Sequence, residues 1–207
     1  MPKTEIEVAH GRAINAREIK GQRPWQGQIE RRLREDSPGH DVCRVRASSS
    51  GWRIEGAAAF IADETPAQLA YDLECDRLWR TAIGHVRGWR GDTAIDLHVV
   101  RRVDGAWTLN GDLVPGVEGL EDLDFGFTPA TNLSQLRRLS LTIGQTAELT
   151  VAWLDVFAGT LSPLGQHYQR LTETTYAYDA PAFDYADELE VDPSGFVVRY
   201  PRLWEAE

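Results

Sequence analysis

Gln68-Leu69-Ala70-Tyr71-Asp72-Leu73-Glu74-Cys75-Asp76 alternates strictly, with Leu69, Tyr71, Leu73 and Cys75 on one face and Gln68, Asp72, Glu74 and Asp76 on the other. Successive side chains of a strand point to opposite faces, so this stretch predicts a β-strand with one buried side. Its surroundings read the same way. Val42 to Ala47 and Trp52 to Ile61 flank the hairpin-like connection Ser48-Ser49-Ser50-Gly51, and Trp79 to Trp89 and Thr93 to Val103 flank Arg90-Gly91. Asp104-Gly105 and Asn110-Gly111 bracket Ala106 to Leu109, and such dipeptides suit hairpin turns because Asn and Gly tolerate positive φ. Further strand-like runs are Leu136 to Ile143, Glu148 to Val156, Gln166 to Tyr178, Phe183 to Glu190 and Phe196 to Tyr200.

Roughly ten or more short strands, with no long amphipathic helix, must curl to limit their exposed edges. The expected fold is mainly β: a single-domain, strongly curved antiparallel sheet (a half-barrel meander) with few short helices. Residues 1–24 carry few large apolar side chains (Ile6, Val8, Ile14, Ile19) and read as an N-terminal extension to a domain over 25–207. Trp25, Ile29 and Leu33 lie four apart, as on a helical stripe, although a short strand from Ile29 to Leu33 fits equally. Glu35-Asp36-Ser37-Pro38-Gly39 then breaks any helix.

The 207 residues carry 22 Lys+Arg against 32 Asp+Glu, a net charge of −10, which argues against a nucleic-acid partner. No run approaches the roughly 20 apolar residues of a membrane helix, so an integral membrane protein is not expected. Met1 to His10 lacks the basic-then-apolar pattern of an export signal. Cys43 and Cys75 alone make no disulfide framework, so the expected setting is the reducing cytoplasm. Five scattered histidines and two isolated cysteines show no metal-ligand spacing. Glycine-rich phosphate loops are likewise missing, and no metal or other cofactor is expected.

With a two-residue turn at Arg90-Gly91, Ile83 faces His98, His85 faces Asp96 and Arg87 faces Ala94. One face then carries Trp79, Thr81, Ile83, His85, Asp96, His98 and Val100, and the other Arg80, Ala82, Val86, Ile95, Leu97 and Val99. Sliding the turn by one residue changes the pairings but keeps the faces. The His/Asp face is either a cavity wall or a solvated outer surface. His85 and Asp96, with His98 two positions along, make a candidate acid–base pair or a plain cross-strand surface pair. Asp122-Leu123-Asp124 puts two carboxylates on one face of an extended segment. Turned inward they would raise each other's pKa and hold a polar headgroup; turned outward they are solvated acids. Arg137 and Arg138, if in a strand, point to opposite faces, so one at most enters a cavity, where Asp122 or Asp124 would suit it as a partner.

The chain also shows an ordered set of segments: Tyr71, Asp76-Arg77-Leu78-Trp79-Arg80-Thr81, Asp122-Leu123-Asp124-Phe125-Gly126-Phe127-Thr128-Pro129-Ala130-Thr131-Asn132, Leu136-Arg137-Arg138-Leu139, Gln166-His167-Tyr168, Tyr176-Ala177-Tyr178, Val191-Asp192 and Tyr200-Pro201-Arg202-Leu203-Trp204. Over roughly residues 25 to 204 this set resembles a bacterial family described as putative glycolipid-binding proteins. The chain departs from the family pattern at Gly119-Leu120-Glu121, in place of Gly-Cys, and at Ala82, in place of Arg. The resemblance implies a curved half-barrel, similar in shape to bacterial lipoprotein carriers, that shelters acyl chains on its concave face. It implies that Asp122, Asp124, Arg80 and one of Arg137 or Arg138 meet a polar headgroup at the rim. Trp79, Thr128, Asn132, Tyr168 and Tyr176 join them in the expected ligand-binding set. The expected function is non-catalytic binding of a glycolipid or similar amphipathic or apolar small molecule. The alternatives are an enzyme on such a molecule, with Asp122/Asp124 or His85/Asp96 as acid and base, and a protein-interaction module. The oligomeric state is not legible.

Overall fold

The computed structural model describes residues 28–32 and 39–206, the first group by backbone alone. The expected extension over residues 1–24 lies outside the described residues. The strands are β1 (Gln28–Arg32), β2 (Gly39–Ala47), β3 (Gly51–Ala62), β4 (Thr65–Asp76), β5 (Thr81–Arg90), β6 (Thr93–Arg101), β7 (Trp107–Leu109), β8 (Asp112–Val114) and β9 (Leu123–Asp124). After one helix, α1 (Asn132–Leu139), come β10 (Thr146–Asp155), β11 (Thr160–Arg170), β12 (Thr175–Ala180), β13 (Tyr185–Val191), β14 (Val197–Tyr200) and β15 (Trp204–Ala206).

The described strands join in one mainly β, curved half-barrel sheet, ordered β8-β7-β6-β5-β4-β3-β2-β1-β15-β14-β13-β12-β11-β10-β9. Two meanders, β1 to β8 and β10 to β15, meet where β1 pairs antiparallel with β15. All neighbours are antiparallel except β9, which runs parallel to β10. The strand alternative is thus the one realised around Ile29, and the helical stripe is not. Leu69, Tyr71, Leu73 and Cys75 are all buried, as their alternation requires. At Asn110-Gly111 both residues have positive φ (53° and 92°), the geometry that turns a two-residue hairpin in step with strand twist.

Between the two meanders the chain crosses the concave side, and this crossing decides the interior. Thr81 holds it: the Thr81 N–H donates to the Glu121 carbonyl (2.8 Å), and the Leu123 N–H donates to Thr81 Oγ1 (3.0 Å). Leu123 and Phe125 then press on β5 at Gly84, where a Cβ would come within 2.2 Å of Leu123 Cδ2. Leu69, Leu73, Val86, Val99, Leu123, Phe125 and Leu133 all enter one buried core. Each such side chain contributes roughly 1.5–3 kcal/mol by leaving water.

Besides the run Gln166 to Tyr178, which splits into β11 and β12 at residues 171–174, three expectations change. The run Leu136 to Ile143 is not a strand: α1 occupies Asn132–Leu139 and ends at Ser140 with φ 47°. Leu133 and Leu136 sit three apart on its buried side, and Arg137 and Arg138 fall in the last turn, where cations complement the helix dipole. The two arginines therefore diverge by a helical step, not by opposite strand faces. Second, the β5–β6 hairpin turns at Gly91-Asp92, so that Arg90 pairs Thr93, Arg87 pairs Asp96, His85 pairs His98 and Ile83 pairs Val100. Third, the strand begins at Thr81, not Trp79, whose φ is 67°. Glu74 pairs Ile83 while Cys75 pairs Thr81, so Ala82 is a bulge residue. That bulge turns Thr81 inward, off the face it would share with Ile83 and His85 by simple alternation.

Candidate functional site

The polar side chains carried by the crossing segment fall into three groups. In the first, Asp41 of β2 accepts a hydrogen bond from Thr128 Oγ1 (2.8 Å to Oδ2) and from the Tyr71 hydroxyl (2.9 Å to Oδ1). All three are buried. Burial and the neighbouring Asp41 charge hold the Tyr71 hydroxyl well above the usual phenol range, so it stays a donor. Thr128 also caps the 3₁₀ turn Pro129–Thr131 by accepting from the Ala130 N–H (3.1 Å).

The second group is an ion-pair patch. Arg138 grips the fully buried Asp122 with both Nε (3.0 Å) and Nη2 (2.5 Å), and reaches Glu121 through Nη1 (3.1 Å). Burial raises the Asp122 pKa, and the Arg138 bonds oppose that rise. Arg80 bonds Asp76 (2.8 Å) and lies 3.9 Å from Glu121. Burial pushes the Asp76 carboxyl up, but bonds from Arg80 and from two backbone N–H groups outweigh it and leave the pKa lowered. Trp79 stacks on Trp52 at 4.6 Å, and the Arg137 guanidinium stands 5.9 Å over its ring.

Asp124 centres the third group. Its Oδ1 accepts from the Gly126 N–H (2.8 Å), and its Oδ2 accepts from Gln166 Nε2 (2.9 Å) and Gln135 Nε2 (3.4 Å). The Tyr168 hydroxyl donates to Gln135 Oε1 (2.6 Å) and accepts from Asn132 Nδ2 (2.9 Å). Burial raises the Asp124 pKa, opposed by the Gly126 N–H and the two amides. The neighbouring Asp122 does not drive this shift: the two acids face different partners, so mutual repulsion is not what moves either of them.

Beside this third group lies a cleft of about 340 Å³. Asp124, Thr128 and Asn132 form its polar wall, and Trp153, Leu164, Tyr178, Phe183, Tyr185, Tyr200, Leu203 and Trp204 its apolar walls. Tyr178, Tyr185 and Tyr200 pack mutually, with ring centroids 5.1–5.9 Å apart. Burial pushes the Tyr185 hydroxyl up to about 12, and it donates to the Pro201 carbonyl (2.9 Å). A small set of fixed polar groups within aromatic walls is the usual make-up of a small-molecule site.

Of the residues expected to bind ligand, Asp124, Thr128 and Asn132 line this cleft, and Tyr168 is linked to Asp124 through Gln135. Asp122, Arg80, Arg137, Arg138 and Trp79 gather in the ion-pair patch instead, and Tyr176 packs in a core cluster with Leu136, Leu141 and Leu189. His85 Nε2 and Asp96 Oδ1 do meet at 2.6 Å, but on the outer face, with the Asp96 side chain 77% exposed. Their contact is diagonal across the hairpin, and neither lines the cleft. Among the described residues no three His, Cys, Asp or Glu side chains gather as a metal site. No helix among them is long and apolar enough to cross a membrane.

Gln135, Trp153, Tyr185 and Trp204 were not in the expected set. A buried glutamine has no local signature, and Trp204 reaches the cleft only because β15 closes beside β14.

Residues 32–206 match a family described as "Putative glycolipid-binding". The chain belongs to that family. A crystal structure of a DUF1089 family protein from Pseudomonas aeruginosa shares the fold with a TM-score of 0.70 and 26% identity, over 82% of this chain and 91% of that one. No curated protein matches the chain.

Proposed function

We propose that the protein binds, without transforming it, an amphipathic glycolipid-like molecule, and that its sugar end enters the Asp124 cleft. One observation carries this reading: a buried carboxylate held by amides forms one wall of a cleft whose other walls are tyrosine and tryptophan rings. A sugar presents hydroxyl donors at its rim and apolar C–H groups on its faces, so it needs acceptors and aromatic planes together. Asp124 and Asn132 supply the polar contacts, and Trp153, Tyr178 and Tyr200 supply the planes. The cleft sits near the lower end of the roughly 300–1,000 Å³ range of small-molecule pockets, which suits a headgroup better than a pair of acyl chains. The family's description points the same way. No His or Cys lines this cleft, and both Asp124 oxygens already accept hydrogen bonds, which favours holding a ligand over moving its protons.

Native mass spectrometry of gently purified protein, followed by organic extraction, tests the proposal. The expected result is a stoichiometric adduct that contains a sugar and is lost in Asp124→Asn. An adduct without any sugar, or one indifferent to that substitution, overturns it.

A further inference from the structure

A second cleft, of about 320 Å³, adjoins the first and shares Gly126, Trp153, Leu203 and Trp204 with it. Its lining residues differ in type. Phe60, Phe125, Phe127, Leu154, Val156 and Phe157 border it, where the first cleft has Asp124, Asn132 and three tyrosines. The two acids at its edge are already engaged: Asp63 by Arg90 (2.8 Å), and Asp155 by the Phe157 and Ala158 N–H groups (3.0 Å each). Ile61 and Phe157, both 37% exposed, stand at its open end.

Trp153 divides the two clefts, and Gly126 lets it do so. Gly126 has φ 67°, and a Cβ there would fall 2.5 Å from Trp153 Nε1. The same glycine donates its N–H to Asp124, so one residue sets both the carboxylate and the partition. Trp153 lines both clefts. An indole offers an apolar plane and one N–H donor.

We infer that the two clefts are one two-lobed site for a glycoside with a single apolar aglycone, the sugar beside Asp124, the aglycone against Phe60, Phe127 and Phe157, and the linking oxygen accepting from Trp153 Nε1–H. This rests on the sugar-binding reading above and adds where the apolar end goes and what joins the two. A chain longer than the lobe leaves past Ile61 and Phe157, where apolar side chains already face solvent.

The test is a calorimetric titration of the full chain with methyl and octyl glycosides of glucose, galactose, mannose and rhamnose, the octyl compounds below their micelle concentrations. Each buried methylene strengthens binding roughly fourfold, so the octyl form of a preferred sugar is expected to bind at least tenfold tighter than the methyl form. Phe157→Ser, at a partly exposed turn position, should shrink that octyl advantage several-fold. Trp153→Phe keeps an aromatic partition without the N–H and should weaken both forms alike. Equal affinity for methyl and octyl forms, with both lost in Asp124→Asn, overturns the two-lobed site and leaves the sugar reading standing. Octyl binding indifferent to sugar identity and to Asp124→Asn, or no binding across the panel, overturns the sugar reading and this inference with it.

Discussion

The two meanders are built on the same strand alternation but fill their concave sides differently. In β2 to β6 the inward positions are mostly aliphatic: Val45, Ile54, Leu69, Leu73, Val86, Leu97 and Val99, and the crossing segment packs down on them at Leu123 and Phe125. In β10 to β14 they include Gln166, Tyr168 and Tyr178, and five of the chain's six tyrosines lie after residue 160. Aliphatic side chains interdigitate to crystal-like density, and the Asp124 cleft takes no wall from these strands. Tyrosines and amides are held by hydrogen bonds whose geometry fixes their separation, and on that side a cleft remains. The first half is mainly aliphatic core, and the second supplies the aromatic walls of the Asp124 cleft.

The largest expected effect belongs to the aliphatic half. Leu73 is fully buried, and Leu73→Ala should cost about 2–5 kcal/mol in a denaturant midpoint experiment, with glycoside affinity unchanged in the molecules that remain folded. A comparable loss of binding would break the division between the halves. Next comes Tyr168→Phe. It removes a hydroxyl that serves Gln135 and Asn132 at once, and the stranded buried partners should cost about 1–3 kcal/mol. Here the binding loss should be at least as evident as the stability loss, because Asp124 and Asn132 lose their common support.

A smaller effect is a difference in pH dependence. Burial raises the Asp124 pKa in the folded state, so between the ordinary carboxylate range and the raised value the folded chain holds a proton that the unfolded chain has released. Stability then falls as pH rises through that window. Asp124→Asn removes this component, and the wild type should lose stability relative to the variant across the same window. An opposite slope would show that the donors from Gly126 and the amides outweigh burial. The smallest effect is at the outer pair. His85→Ala should leave stability within about 0.5 kcal/mol and binding unaltered, since Asp96 is largely in solvent.

Much of the half-barrel is legible from residue order. Period-two alternation in Gln68 to Asp76 and the turn chemistry of Asn110-Gly111 are local properties, and the structure follows them. The helix was harder. Leu136-Arg137-Arg138-Leu139 suits a strand when read alone, and it becomes α1 because the preceding turn, capped by Thr128, delivers the chain into the trough. The hairpin register shifted by one turn position while keeping the cavity-or-surface ambiguity of its face, which only the placement of the crossing segment resolves.

By itself, the sequence determined the strand content, the buried face of β4, the principal turns and the segments that mark the family, because each depends on neighbours within a few residues. Only the tertiary structure decided that Asp122 and Asp124, two residues apart, serve different ends. Asp122 meets Arg138 in an ion pair, and Asp124 meets Gln135, Gln166 and a cleft. Carboxylates in one short segment look alike until burial and partners are assigned. Those partners come from a helix and from a strand more than 40 residues away, brought together only when the second meander closes over the crossing chain.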